Sequence, residues 1–434
     1  MKRQALAQLI DWKNSRRRKP LIIRGARQVG KTWLAQEFGV TEYESMAYIN
    51  LDGNTQAENI FALDYDVERI VDGLELLSGV KIEPEKTLII LDEIQETPRA
   101  LTALKYFYEN APGYHVVALG SLLGVALHRG TSFPVGKVNF IDLYPLNFIE
   151  FLQATNNTEY AKLLTDTSKN PLSTEVFHDK LLDLLKVYFV VGGMPEVVLS
   201  YIEEGNVLNV RKVQEQILAA YDQDFSKHAP IGVVPRIREI WDTLPAQLAK
   251  ENKRFFFRMI RQGARAKEYE LAMLWLEDAG IISRVSRVNK PALPLSAYAD
   301  ATIFKLFLLD VGLLGAKSGL DPKVILNQND IFTEYQGSLT EQFVYQELKS
   351  ANIRSFYYAN DDSRGEIDFM VDIGDAVVPL EVKSGKNISA RSLREFKIKH
   401  PESHPVITST LPIGERGDIK IMPLYEICRI RAMR

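Results

Sequence analysis

Leu21-Ile22-Ile23-Arg24-Gly25-Ala26-Arg27-Gln28-Val29-Gly30-Lys31-Thr32-Trp33-Leu34 decides the fold of the first third of this chain. An apolar run enters a loop bracketed by glycines, and a helical pattern begins at Trp33. That is the strand–loop–helix setting which G-x-x-x-x-G-K-[ST] needs before it counts as a phosphate loop. Gly25 and Gly30 let the backbone curl, so that the amides of Ala26, Arg27, Gln28 and Val29 point inward at the positive end of a helix. Lys31 is placed to reach the outer phosphates, and the Thr32 hydroxyl to ligate Mg²⁺. A chain of 434 residues matches this pattern by chance on the order of once in a hundred. The reading is a nucleotide-binding protein, with Trp33 completing the candidate contacts.

The next signal supplies what the loop lacks. Thr87-Leu88-Ile89-Ile90-Leu91 is an apolar strand that ends in Asp92-Glu93, the Walker B pattern. Asp92 is the candidate for the Mg²⁺ shell, and Glu93 for orienting and deprotonating the attacking water. Gln95 faces either the γ-phosphate or solvent. His115–Leu119 reads as another buried strand ending in Gly120-Ser121. Ser121 is either a γ-phosphate sensor between the two acids and the loop, or a plain helix cap. A last strand near Val138–Asp142 completes an alternation that argues for a parallel sheet covered on both faces.

Composition sets the bounds. The length suggests two to four domains, and 46% hydrophobic with 25% charged residues describes a globular chain. The single cysteine, Cys428, forms no internal disulfide, which fits a reducing compartment. The start of the sequence lacks the apolar core of a signal peptide, and the run near 116–127 is broken by Gly120, Ser121 and Gly124. A cytoplasmic protein with no membrane partner is expected. A net charge of -3 leaves nucleic-acid binding to local patches.

The last third carries a second constellation. Thr333–Leu348 is helical and holds Glu341; strands follow at 356–358, 366–371 and 377–383. Asp368 lies early in the second strand, and Glu381-Val382-Lys383 closes the third, a PD-(D/E)xK pattern. Glu381 and Lys383 are two residues apart and share one face. Asp368 and Glu381 are then candidate ligands of a divalent cation, Mg²⁺ or Mn²⁺, and Lys383 a candidate to activate water or stabilise phosphorane charge. Three readings stand: an active nuclease site, a retained site that binds without turnover, or a solvated edge face.

Between these ends the pattern is helical, interrupted by a polar stretch at 154–175, by Gly192-Gly193-Met194-Pro195 and by a Pro/Gly linker at 226–235. Three helical patterns and a hairpin over 236–290 give a winged-helix order. Lys253, Arg254, Arg258, Arg261, Arg265, Lys267, Arg284, Arg287 and Lys290 make it the most basic region. Such residues offer phosphate contacts to DNA, or a docking face within the protein.

Taken in order, Gly25–Thr32, Leu91-Asp92-Glu93-Ile94-Gln95, Leu119-Gly120-Ser121, Leu143–Phe151 and Gly192–Pro195 resemble a widespread prokaryotic family of AAA-type ATP-binding proteins. Its members carry a C-terminal domain of unknown function with a restriction-endonuclease-like core. The resemblance implies a P-loop ATPase core over 1–144, a helical lid over 145–228, a winged helix over 229–315 and an α/β nuclease-like domain over 316–434. It implies ATP and Mg²⁺ as cofactors, an approach of Pro195 to the nucleotide base, and Glu341 as a third ligand at the nuclease-like site. DNA, a protein partner or a second copy of the chain are the partners in view. One departure stands out: Gly136-Lys137 replaces the usual Gly-Arg, keeping the charge and losing the planar fork of an arginine finger. Arg129 is the alternative cation.

Overall fold

The computed structural model describes residues 1–121, 133–166, 175–249, 254–327, 333–359, 365–385 and 389–432. Arg129 and Lys253 lie outside the described residues. The chain forms two compact units, one of Lys2–Tyr144 with Trp275–Ile281, the other of Pro145–Leu274 with Ile282–Arg434.

The amino-terminal unit runs α1 (Ala5–Asn14), β1 (Leu21–Arg24), α2 (Lys31–Glu42), β2 (Ser45–Asn50), α3 (Thr55–Ala62), α4 (Val67–Ser78), β3 (Thr87–Asp92), α5 (Pro98–Asn110), β4 (His115–Gly120) and β5 (Asn139–Asp142). Its five strands are parallel in the order β2-β3-β4-β1-β5. β3 and β4 are buried along their whole length, as unbroken Leu/Ile/Val runs require when helices cover both faces. Ile22, Ile89, Leu91, Val116 and Ala118 pack with Phe61, Leu74 and Phe107 from the helices in one core. β4 lies between β1 and β3, so the ends of all three strands adjoin where the order reverses.

The other unit opens with helices α6 (Phe148–Ala154), α7 (Thr158–Thr165), α8 (His178–Val191), α9 (Pro195–Glu204), α10 (Val207–His228) and α11 (Val234–Leu248). α12 (Ala266–Asp278) begins here, and its end belongs to the amino-terminal unit. Next come β6 (Ile282–Val288), β7 (Ala299–Leu308), α13 (Val311–Lys317), α14 (Pro322–Asn327), α15 (Thr333–Ser350), β8 (Ser355–Ala359), β9 (Glu366–Ile373), β10 (Ala376–Val382), α16 (Arg391–Lys399), β11 (Val406–Ser409), β12 (Gly414–Arg416) and β13 (Ile419–Pro423).

These eight strands make one sheet, β12-β13-β11-β10-β9-β8-β6-β7. The expected wing, β6–β7, is therefore not a separate hairpin. β6 pairs in parallel with β8 through Arg287–Tyr357 and Val288–Tyr358, so a boundary at 315/316 would cut through one sheet. The expected helices also shift: only α11, a short 3-10 turn at Phe257–Met259 and α12 occupy 234–278 among the described residues, and α10 reaches back to Val207.

A buried polar hub ties the helices to the end of the chain. Asp310, at the start of α13, accepts from Gly193 N at 2.6 Å and Leu313 N at 2.9 Å. Burial raises its carboxyl pKa while these donors oppose the shift. Gly192 and Gly193 are glycine for lack of room: a Cβ at 192 would lie 2.2 Å from Asp310 Oδ1, and one at 193 would lie 2.0 Å from Leu146 O. On α15, Gln346 donates to Tyr188 OH at 2.8 Å, and Glu347 Oε1 accepts from Phe148 N at 2.8 Å. Among the described residues no helix is long and apolar enough to cross a membrane.

Candidate nucleotide site and a carboxylate cluster

The phosphate loop follows β1 directly and hands over to α2 at Gly30, whose φ of 91° only glycine adopts freely. Gly25 is fixed by space as well, since a Cβ there would lie 2.2 Å from Leu143 O. Lys31 is buried, and its ammonium donates to Gly25 O at 3.0 Å and Ala26 O at 2.8 Å. Burial lowers its pKa to about 8, with Glu93 and Asp92 pulling the other way. Trp33 is 42% exposed on the outer side of α2.

β3 brings its acids to the same end. Thr32 Oγ1 donates to Asp92 Oδ2 at 2.8 Å, and Tyr48 OH donates to the same oxygen at 2.9 Å. Glu93 takes a left-handed backbone (φ 52°), which costs a non-glycine residue on the order of 1 kcal/mol. Its side chain accepts from Gln95 Nε2, so Gln95 bears on the acid beside it. Ser121, buried, directly follows β4 between the two Walker strands.

Two supports were not visible as such in the sequence. Arg3, buried ahead of α1, donates to Val29 O at 2.9 Å and to Tyr144 O at 2.5 Å, bracing the loop from behind. Tyr48 holds Asp92 as described. Neither carries a local motif; each is a lone polar residue whose partner is distant in sequence.

A hydroxyl and a carboxylate 2.8 Å apart form a hard-oxygen pair of the kind Mg²⁺ takes, with phosphates and water filling its other positions. The donor set fits the ion. Lys137 pairs with Glu109 at 2.9 Å. Pro195 lies in the other unit, at the first turn of α9 beside the Asp310 hub.

A family profile described as an AAA domain matches residues 17–152. The amino-terminal unit is an AAA-type P-loop ATPase domain. Profiles described as domains of unknown function match two later stretches: DUF8612 over residues 182–324 and DUF4143 over 336–427. Comparison with curated protein sequences gives no significant match. Among solved structures, the chain is similar to the Orc1 protein of Aeropyrum pernix, solved in complex with DNA. That match has 14% identity over 74% of this chain and 92% of the other, with a TM-score of 0.29. Cdc6p of Pyrobaculum aerophilum matches at 12% identity over 75% and 93%, with a TM-score of 0.25.

Beyond the ATPase domain, the eight-stranded sheet carries a buried charge cluster. Asp368 and Glu381 stand on neighbouring antiparallel strands, and Asp368 Oδ2 accepts from Val382 N at 2.8 Å. Glu381 Oε1 accepts from Lys383 Nζ at 2.6 Å, and Oε2 is buried with no hydrogen-bond partner among the described residues. Burial raises the Glu381 carboxyl pKa against the pull of Lys383. Lys383 is also raised: burial opposes its charge, but Glu381, Asp368 and Glu341 outweigh it.

The sequence reading missed the cluster's central group. Lys305 of β7, with its side chain 1% exposed, places Nζ 2.5 Å from Glu366 Oε1, 3.8 Å from Glu341 Oε2 and 3.9 Å from Asp368 Oδ1. Burial disfavours its charge, yet Glu366, Glu341 and Asp368 together raise its pKa. A lysine inside Phe304-Lys305-Leu306-Phe307-Leu308 was the available signal, because a buried charge needs partners. Among the described residues no three acid, histidine or cysteine side chains gather closely enough to hold a metal ion. Glu341, Asp368 and Glu381 therefore do not converge as the expected ligand set. The Val382 amide holds Asp368 Oδ2 and the Lys383 ammonium holds Glu381 Oε1 instead.

Proposed function

We propose that the chain is an ATP-hydrolysing switch whose nucleotide state is coupled to its C-terminal, nuclease-like domain. The observation that carries this reading is the gathering of Lys31, Thr32, Asp92, Glu93 and Ser121 at one end of three adjacent parallel strands. In it, the amides of residues 26–30 and Lys31 bind and orient the triphosphate, and Glu93 accepts a proton from the attacking water. Ser121 senses the γ-phosphate from the strand between them. Mg²⁺, held by Thr32 and Asp92, would neutralise phosphate charge there.

For the C-terminal domain two versions compete, DNA cleavage and partner binding without cleavage. The helix–three-strand–helix–strand order α15-β8-β9-β10-α16-β11, with Asp368 and Glu381 on adjacent strands, supports the nuclease-like reading. Lys305 among the carboxylates favours binding without cleavage. The basic region is partly committed as well, since Arg261 pairs with Glu268, Arg284 with Glu270 and Arg287 with Asp300. Docking of a partner then suits it better than a phosphate backbone does.

The test is ATP turnover with and without DNA, on the wild type and Glu93→Gln. Removing the base should lower turnover roughly 10²–10⁴-fold while ATP still binds. ATP bound to Glu93→Gln should also alter amide exchange in β6 and β8. Turnover unchanged by Glu93→Gln would sink the hydrolytic role, and identical exchange with and without ATP would sink the coupling.

A further inference from the structure

We propose that Lys305 is the resident cation of the carboxylate cluster, occupying in this chain the role a divalent ion would fill. The inference rests on the nuclease-like reading of the domain and takes its disagreement with a metal site as the starting point.

β7 fixes the ammonium. Its backbone is held on both sides, paired with Val285 of β6 and bridged to Arg254. Phe304, Leu306, Phe307 and Leu308 around it are buried, so the strand has no freedom to turn its lysine toward water. The ammonium lies 5.0 Å from the centre of the Tyr357 ring, a face that favours a cation.

From that point it meets Glu366, Glu341 and Asp368 within 2.5–3.9 Å, groups from a helix and a strand that share no sequence neighbourhood. A desolvated ammonium requires such compensation, and the three acids require a cation in return. A metal entering here would stand beside a fixed positive charge, at a separation where like charges repel strongly in a dry interior. The acid at the other end, Glu381, has its own ammonium in Lys383. Lys305 and Lys383 thus supply the cluster's positive charge without an exchangeable ion, as suits a domain that keeps the shape of a nuclease core for recognition.

The experiment is Mn²⁺ titration by calorimetry on the full, nucleotide-free chain, with Asp368→Asn assigning any heat to this cluster. Wild type and Asp368→Asn should titrate alike. Lys305→Met should gain Mn²⁺ binding at least roughly tenfold tighter than any wild-type site, with Asp368→Asn removing the gain. Mn²⁺ should raise the melting temperature of Lys305→Met more than that of the wild type. Should Lys305→Met fail to fold, Lys305→Arg, which keeps the charge, should titrate as wild type does. Asp368-dependent Mn²⁺ binding by the wild type or by Lys305→Arg overturns the assignment, as does a folded Lys305→Met that gains nothing. Cleavage of DNA by the wild type, abolished in Asp368→Asn, overturns the binding version of the function as well. Mn²⁺ binding without cleavage overturns the Lys305 assignment alone.

Discussion

The phosphate loop and the carboxylate cluster use the same ingredients, a buried lysine and acids at strand ends, to opposite effect. At the loop, Lys31 donates to two neutral carbonyls, and Asp92 is held by the hydroxyls of Thr32 and Tyr48. Among the described residues no ammonium is bound tightly to a carboxylate there, so positive charge is left for phosphate. In the cluster, Lys305 and Lys383 are each spent on a carboxylate within 2.6 Å. Proximity of acids and lysines is therefore not a sign of chemistry by itself. What matters is whether the cation's partners are neutral or charged.

The largest effect that would break this comparison is at the loop. Lys31→Ala should lose ATP binding and turnover by roughly 10²-fold or more. Its unfolding free energy should move by less than about 1 kcal/mol, because removing a desolvated ammonium offsets the loss of the two hydrogen bonds it gives. Fluorescent-nucleotide titration and urea melts read the two quantities. Loss of stability without loss of binding would reverse the assignment.

Lys305→Ala should do the converse, lowering stability by roughly 3–5 kcal/mol, the usual cost of leaving buried charges unpaired. Denaturant melts at neutral pH, in the presence of a chelator, measure it. A loss under about 1 kcal/mol would mean the acids are solvated and the cluster is a surface feature.

Glu347 sharpens the contrast, because it is a buried acid whose partner is an amide. Burial pushes its carboxyl from an ordinary 4.5 up to about 8, with the Phe148 amide opposing. The folded state then keeps a proton that the unfolded chain has lost. Its contribution is complete below about 4.5 and disappears as pH rises through about 8. The slope from this one group is at most about 1.4 kcal/mol per pH unit. Melts at intervals between pH 5 and 9 should show the decline, and Glu347→Gln should flatten it.

The smallest effect lies where the end of α12 meets the loop. Gly280, at φ 73°, would place a Cβ 3.2 Å from Ala26 N. Gly280→Ala should weaken ATP binding a few-fold, about 1 kcal/mol, through strain and crowding at that amide. An unchanged Kd would show that the loop does not feel this corner.

The loop was legible because its parts are consecutive: one strand, one turn and one helix carry backbone amides, lysine and threonine within eight residues. The Walker acids were legible because an unbroken apolar run announces a central strand. Arg3, Tyr48, Glu366 and Lys305 were not, because each acquires meaning only from a partner brought from elsewhere. The hairpin misled for a related reason. Its alternation predicts strands correctly but says nothing of what lies alongside, and β8, which pairs with β6, comes some seventy residues later. The glycine pair at 192–193 read as punctuation, whereas its bareness answers Asp310 and Leu146.

That hub also bears on how the chain is made. Gly193 leaves the ribosome 117 residues before the carboxylate that satisfies its amide, and Phe148 precedes its partner by 199. Until those late segments emerge, the early helices carry polar groups with no internal partner and an apolar face without its cover. A fragment cut after α10 should consequently be a poor folder, and expression trials of isolated pieces would do well to retain everything through α15.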